Sequence, residues 1–459
     1  VSDGSPRATY RVQLRPGFGF DEAGALAGYL AELGISHLYV SPIFEAVPGS
    51  QHGYDGTDPT RIREQLGGPA AFRRMVDALH AAGLGLLVDI VPNHMSTDAR
   101  FDPWWADVLE AGPASTHARF FDIEWDPPWP ELRDRVLLPV LGGPLEEVAA
   151  RGELGLERSA GGVRLTYFDQ RFPVDPATLP EDASGEEGLR RLGADPAALV
   201  ALCDRQHWLL APWTDAALRL NHRRFFTITS LVGVREEEPR VFDTVHAAIA
   251  GLVEEGSVDG LRIDHIDGLR DPAAYLERLQ AATGAGWVLV EKILEGDEEL
   301  PADWRTDGTT GYEFAALLTE LSVDPAGATP LSELHAGLTG HTESFELCVH
   351  QARLALLRGE LASEVTRLAA QLTRVVADAG LEPLGSLDEA AEALAAVIAE
   401  LGVYRTYVDP ETGRCRPEDA ARTGIAVTRA RRRHPRVRAD LLDLLAGCLC
   451  GRGPTEGLE

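Results

Sequence analysis

Three carboxylates in this sequence stand where an apolar β-strand pattern ends. Asp89 follows Leu84-Gly-Leu-Leu-Val and runs on into Ile-Val-Pro-Asn-His94. Asp264 follows Gly260-Leu-Arg-Ile, with Arg262 two residues before it, and Glu291 follows Trp287-Val-Leu-Val. In a parallel α/β sheet the carboxyl ends of the strands open onto one mouth, where the following loops converge and sites are built. A pair of acids there suits glycoside cleavage with retention. One carboxylate attacks the anomeric carbon while the other, about 5–5.5 Å away, protonates the leaving oxygen. Arg262 projects to the same side as Asp264 by the two-residue alternation of a strand, so its charge favours the ionised aspartate that a nucleophile requires. Glu291 would then have to hold a proton until the leaving oxygen takes it. A single acid at a strand end is usually a helix cap; three of them, one beside an arginine, weigh against that reading. Lys292, the sole lysine of the chain, points to the other face and reads as a surface or sheet-packing residue.

The elements around these acids read as repeated β-α units. Ala8 to Leu14 alternates as a strand. From Asp21 a helix is expected, with Leu26, Tyr29, Leu30 and Leu33 on one face and Gly34 as its stop. Ile35 to Ile43 is a second strand. Pro69 opens a helix that buries Phe72, Met75, Val76 and Leu79, and Leu84 to Val91 is a third strand. This rhythm means a parallel sheet, doubly wound or closed as a barrel. It breaks at about residue 95: a stretch rich in Trp, Pro and Gly runs to 239, too long for one loop and so an inserted lobe. Its tryptophans (Trp104, Trp105, Trp125, Trp129, Trp208 and Trp213) read as lobe core or as sugar-stacking surfaces. The rhythm resumes with a helix near Arg240 to Glu255 and strands at Val258 to Ile263 and Trp287 to Ile293. A sixth strand is expected near Glu313 to Leu321, and the chain then turns Ala/Leu/Arg-rich and helical. There Ser386 and Glu389 have the spacing of a capping box. The expected organisation is a first barrel part over 1–94, the lobe over 95–239, a second barrel part over 240–315 and a helical subdomain over 316–459.

Composition narrows the function. The 459 residues carry 43 basic and 72 acidic side chains, a net charge of −29, which repels a polyanion and argues against nucleic acid as a partner. No apolar run is long enough to span a membrane, and Val1 to Arg7 lacks the apolar stretch of a secretory signal. Five cysteines without a Cys-x-x-Cys point to neither a disulfide framework nor a zinc site, so no metal is expected and a reducing cytoplasm is. Glu236 to Glu238 reads as a solvated loop.

With those residues set out, a family resemblance is plain. Asp89-Ile-Val-Pro-Asn-His94, Gly260-Leu-Arg-Ile-Asp264 and Glu291 resemble three motif regions of the α-amylase superfamily. Ala8-Thr-Tyr-Arg-Val-Gln-Leu14, His37-Leu-Tyr-Val-Ser-Pro42, Gly49-Ser-Gln-His-Gly-Tyr-Asp55, Phe120-Phe-Asp-Ile-Glu-Trp125, Arg223-Arg-Phe-Phe226 and Gly308-Thr-Thr-Gly-Tyr312 resemble the maltooligosyltrehalose synthases within it. The resemblance implies a (β/α)8 TIM barrel of the α-amylase type, incomplete in this chain at about six strands, with the inserted irregular lobe and a C-terminal helical subdomain. It implies an intramolecular transglucosylation that converts the reducing-end α-1,4 bond of a maltooligosaccharide or amylose to an α,α-1,1 bond. Asp264 matches the nucleophile and Glu291 the general acid/base. Tyr54, Asp55, Asp89, His94, Arg262 and His265 match substrate-binding positions. No cofactor is implied, and maltooligosyltrehalose trehalohydrolase is the implied pathway partner.

Departures from the family pattern are His222, where tyrosine is usual, and Gly56, where valine is usual. The third superfamily carboxylate, carried in a late His-Asp pair, has no counterpart, since no His-Asp pair occurs in the sequence. The expectation is therefore that this is part of a longer protein. Two further readings stay open: an α-amylase-like hydrolase or 4-α-glucanotransferase, and a non-catalytic maltodextrin-binding fragment.

Overall fold

The computed structural model describes residues 6–159, 161–183, 185–381 and 385–453; residues 1–5 of the N-terminal stretch considered above lie outside them. The chain divides into two compact units, one formed by Val1–Glu291 with Ala302–Gly308, the other by Lys292–Pro301 with Thr309–Glu459.

The first unit is organised by a sheet of strands β1 (Thr9–Val12), β2 (His37–Val40), β3 (Gly85–Ile90), β4 (Gly260–Ile263), β5 (Trp287–Val290) and the short β6 (Gly308–Thr309). Their order in space is their order in sequence. The pairs from β1 to β5 are parallel. A doubly wound sheet reverses its strand order at a switch point; this one advances in one direction, as a barrel does. Apolar residues on both sides of β3 are buried, as the covered sheet requires. The helix Gly68–Ala81 buries Phe72, Met75, Val76 and Leu79 as its spacing predicts.

Several expectations need correction. The helix expected from Asp21 is two pieces, Phe20–Gly24 and Ala27–Leu33. The Leu26 amide bonds the Ala23 carbonyl, three residues back, so the ladder tightens at the break between the pieces. Leu30 is buried as expected, but Tyr29 and Leu33 are 60% and 53% exposed. The strand expected at Glu313 to Leu321 is the helix Tyr312–Glu320, and the sixth strand lies just before it. Phe314, Leu317, Leu318 and Leu321 recur with the helical period, which the strand reading overlooked.

The segment 95–239 is more regular than its composition suggests. Leu154–Ser159, Gly162–Tyr167 and Gln170–Pro173 form an antiparallel sheet, and Val136–Leu141 pairs in parallel with Trp208–Pro212. Trp105 and Trp208 are fully buried in its apolar core, Trp104 and Trp125 pack against that core, and Trp213 is exposed. Glu236, expected in solvent, is buried beside His246 at 3.7 Å, and burial holds its carboxyl well above the usual range.

The second unit is helical. Ser386 and Glu389 form the expected capping box at the start of Leu387–Glu400. Of the surface and sheet-packing readings of Lys292 the surface one fails: it is buried, its ammonium 2.9 Å from Glu298, because a buried amine needs a counter-charge. Among the described residues no helix is long and apolar enough to cross a membrane.

Candidate active site

Strand register, more than any loop, assembles the site. Arg11 lies opposite Tyr39, Tyr39 opposite Leu87, and Arg262 opposite both Asp89 and Leu289. Residues directly opposite, and residues two apart along a strand, share a face of the sheet. Arg11, Tyr39, Asp89, Arg262 and Glu291 therefore line one face across five strands, and Asp264 joins them two residues beyond Arg262.

Arg262 is the hub. Its Nη1 donates to Asp89 Oδ1 at 2.8 Å and to Asp264 Oδ1 at 2.7 Å, while its Nη2 lies 3.1 Å from Glu291 Oε1. Asp264 and Glu291 are thus separated by no more than one guanidinium and the bonds to either side of it. The backbone amide of His265 donates to Glu291 Oε2 at 2.9 Å. His265 has a left-handed backbone, φ 47°, which turns the chain sharply after Asp264.

Asp89 is held from the other side. Tyr54 Oη donates to its Oδ2 at 2.6 Å and Tyr39 Oη at 2.9 Å, and Arg11 Nη2 donates to Tyr54 Oη at 3.0 Å. His94 is buried under the Phe225 ring, with ring centroids 4.4 Å apart, and Phe225 and Phe226 also pack edge-on to His265. Asp55 stands apart: its carboxylate accepts from Ser50 Oγ at 2.5 Å and its carbonyl from Val47 N, within its own loop. Of the predicted residues, Tyr54, Asp89, Arg262, Asp264, His265 and Glu291 are linked in one hydrogen-bonded network. His94 joins it through ring packing, and Asp55 makes its side-chain bond elsewhere.

Electrostatics follow from gathering three acids, two of them buried, around one cation. Burial pushes Asp89 up, while Arg262, Tyr54 and Tyr39 pull it down. Burial also raises Asp264; Arg262 opposes this, and the neighbouring Asp89 and Glu291 reinforce it. Burial works to lower Arg262, but its anionic neighbours outweigh that and raise it. Arg262 is where the spacing places it, but its one guanidinium is shared among two buried aspartates and the partly exposed Glu291. Burial and the neighbouring carboxylates therefore favour the protonated form of Asp264 against the pull of Arg262. His94 is pushed down to about 3, chiefly by burial.

Sequence reasoning assigned no role to Arg11, Tyr39, Phe225 or Phe226. Arg11 and Tyr39 were findable by alternation once β1 and β2 were aligned with β3; the phenylalanines are brought in from the lobe, and their only signal was the Arg223-Arg-Phe-Phe226 motif, which carried no role for them. Among the described residues no three or more His, Cys, Asp or Glu side chains gather as a metal site.

Comparison with known proteins is consistent with this geometry. Residues 25–132 match the family model described as alpha amylase, catalytic domain. The chain is 39% identical over 407 residues to a putative maltooligosyl trehalose synthase of Mycobacterium tuberculosis, covering 87% of this chain and 48% of that protein. The solved structure of maltooligosyltrehalose synthase from Arthrobacter ramosus superimposes with a TM-score of 0.82 at 35% identity, over 98% of this chain and 55% of that one. A hypothetical maltooligosyl trehalose synthase of Sulfolobus tokodaii gives 0.73 at 27% identity, over 97% and 54%. The chain spans about half the length of each of these relatives.

Proposed function

From the α-amylase-type fold that this chain shares with maltooligosyl trehalose synthases, we propose that it carries the carboxylate pair of an intramolecular glucosyl transfer. The substrate is a maltooligosaccharide or amylose, and its reducing-end α-1,4 bond becomes an α,α-1,1 bond. The observation that carries the proposal is the single Arg262 guanidinium that binds Asp264, Glu291 and Asp89 at once.

Glu291 gives its proton to the glycosidic oxygen as the bond to the anomeric carbon breaks, and Asp264 forms a glycosyl ester with that carbon. The freed glucose turns so that its anomeric hydroxyl faces the ester. Glu291, now a carboxylate, takes the hydroxyl proton as the oxygen attacks. Asp264 leaves as the carboxylate, and the product is an isomer of the substrate, so no water is consumed. Asp89 and Arg262 hold the sugar that carries the reacting carbon, Tyr54 stacks on it, and His94 and His265 donate to its hydroxyls or to those of the departing glucose. Asp55 supports this pocket through the loop that carries Tyr54. Transfer exceeds hydrolysis when water is kept from the ester while glucose is retained. Phe225 and Phe226 beside His265 supply an apolar wall for that purpose.

The product is non-reducing, so the natural consumer is a hydrolase that cleaves trehalose from its end, the reaction class of malto-oligosyltrehalose trehalohydrolase. The five free cysteines fit the cytoplasmic setting that belongs to this reading. Incubation of the chain with maltopentaose tests it. A non-reducing product of unchanged mass is expected. Shortened reducing sugars would indicate a hydrolase, lengthened and shortened chains together a 4-α-glucanotransferase, and binding without turnover a maltodextrin-binding module.

A further inference from the structure

Arg223 lies in the lobe, in the stretch His222-Arg-Arg-Phe-Phe226, and its guanidinium donates in three directions. Nε bonds Asp122 Oδ2 at 3.0 Å, Nη1 bonds Asn93 Oδ1 at 2.6 Å and Nη2 bonds the Val234 carbonyl at 2.8 Å. Its main chain is pinned as well, the amide to the Asp122 carbonyl at 2.9 Å and the carbonyl to the Gly233 amide at 2.7 Å. The fit is close. A Cβ on Gly233 would stand 2.5 Å from the guanidinium carbon, and one on Gly268 would overlap the Asn93 amide oxygen and the His265 ring.

A guanidinium has donors and no acceptor, so the Asn93 atom that it meets is the amide oxygen. The amide nitrogen is thereby turned the other way, where it lies 3.2 Å from His94 Nδ1. An amide nitrogen only donates, which makes Nδ1 the unprotonated, accepting nitrogen of the ring. A neutral His94 then carries its proton on Nε2. That atom is buried and bonds nothing among the described residues. The groups that face the ring are His265 from the loop after β4, Arg223 from the lobe, the Phe225 ring and the backbone of Tyr54; the Arg223 charge, and a charge on His265 were it protonated, oppose one on His94.

We propose that Arg223 is a positioning residue: acting through Asn93, it fixes His94 as the neutral Nε2–H tautomer and leaves that N–H to donate to a sugar hydroxyl. Only the identity of the acceptor rests on the proposed function. The tautomer follows from the bonds within the protein. The alternative is that Arg223 merely ties the lobe to the sheet, in which case its loss lowers stability and leaves the tautomer alone.

The test is the imidazole nitrogen spectrum of the full chain labelled with 15N-histidine, with the His94 signals assigned by His94→Gln. The wild type is expected to show an Nε2–H ring. Asn93→Asp still accepts from Arg223 but offers His94 only oxygens, so the proton moves to Nδ1 or the ring becomes cationic. Arg223→Met frees the amide to turn, giving mixed tautomers, whereas Arg223→Lys restores a donor and with it the Nε2–H form. Nδ1–H in the wild type, or an unchanged Nε2–H ring in Asn93→Asp or Arg223→Met, overturns the proposal; if Arg223→Met does not fold, the wild type and Asn93→Asp decide it. With maltopentaose, Asn93→Asp is expected to lose about a hundredfold in kcat/KM, the scale of a displaced positioning contact. Should the wild type show the tautomer but no turnover, the functional reading fails while this assignment stands.

Discussion

Asp264 takes its place from Arg262, and Arg262 keeps two other carboxylates when Asp264 is removed. Asp264→Asn is therefore expected to abolish glycosyl transfer, a fall of roughly a thousandfold or more, because the amide cannot form the ester. The fold should persist, since the guanidinium remains paired with Asp89 and Glu291 and one buried negative charge is gone. Turnover of maltopentaose and the Tm, measured together, check this; a near-normal rate would remove Asp264 from the nucleophile role. The neighbouring positions were legible to differing degrees. Asp89, Arg262 and Glu291 stand at strand ends, where alternation alone sets the face they share. Asp55 has the same proximity in sequence to Tyr54, yet its carboxylate bonds Ser50, and nothing local to the motif distinguishes the two outcomes.

At the scale of elements, regular period and capping chemistry were reliable, and short elements were not. Leu387–Glu400 begins where Ser386 and Glu389 exchange bonds, with the Glu389 amide donating to Ser386 Oγ at 3.2 Å and the Ser386 amide to Glu389 Oε2 at 2.8 Å. Ser386→Ala is expected to cost about 0.5–2 kcal/mol, read as a lower urea midpoint for the loss of helical signal. An unchanged midpoint would mean that solvent caps this end equally well. The two-residue strand β6 shows the opposite case. Gly308–Thr309 is too brief to carry a period, and the longer apolar pattern after it drew the strand reading although its spacing was helical. The break between Phe20–Gly24 and Ala27–Leu33 escaped for a related reason. The local mark is Gly24, the last residue of the first piece, and the apolar spacing of Leu26 and Leu30 runs on through the break.

Over the whole molecule, buried titratable groups pull stability in opposite directions. Burial pushes His94 down to about 3 and His246 down to about 4, from 6.5, so their contribution is lost as pH falls from about 6.5 through those values. Burial raises Glu236 well above 4.5, so its contribution is present below 4.5 and lost as pH rises. Between about pH 4.5 and pH 6.5 these terms oppose one another. Glu236→Gln removes one side: its Tm relative to wild type should increase with pH across that window, and parallel Tm curves would refute the buried-carboxyl account. The sequence by itself determined the strand-end carboxylates, the arginine beside one of them and the direction of the β-α winding, because alternation and helical period act over a few residues. Only the tertiary structure decided that one guanidinium holds all three acids, that Glu236 lies inside and that lobe residues Arg223 and Phe225 reach His94. Arg262 with Asp89, Arg223 with Asn93 and Phe225 with His94 each join residues more than a hundred apart, and which pairs meet depends on strand register and lobe packing rather than on any local pattern.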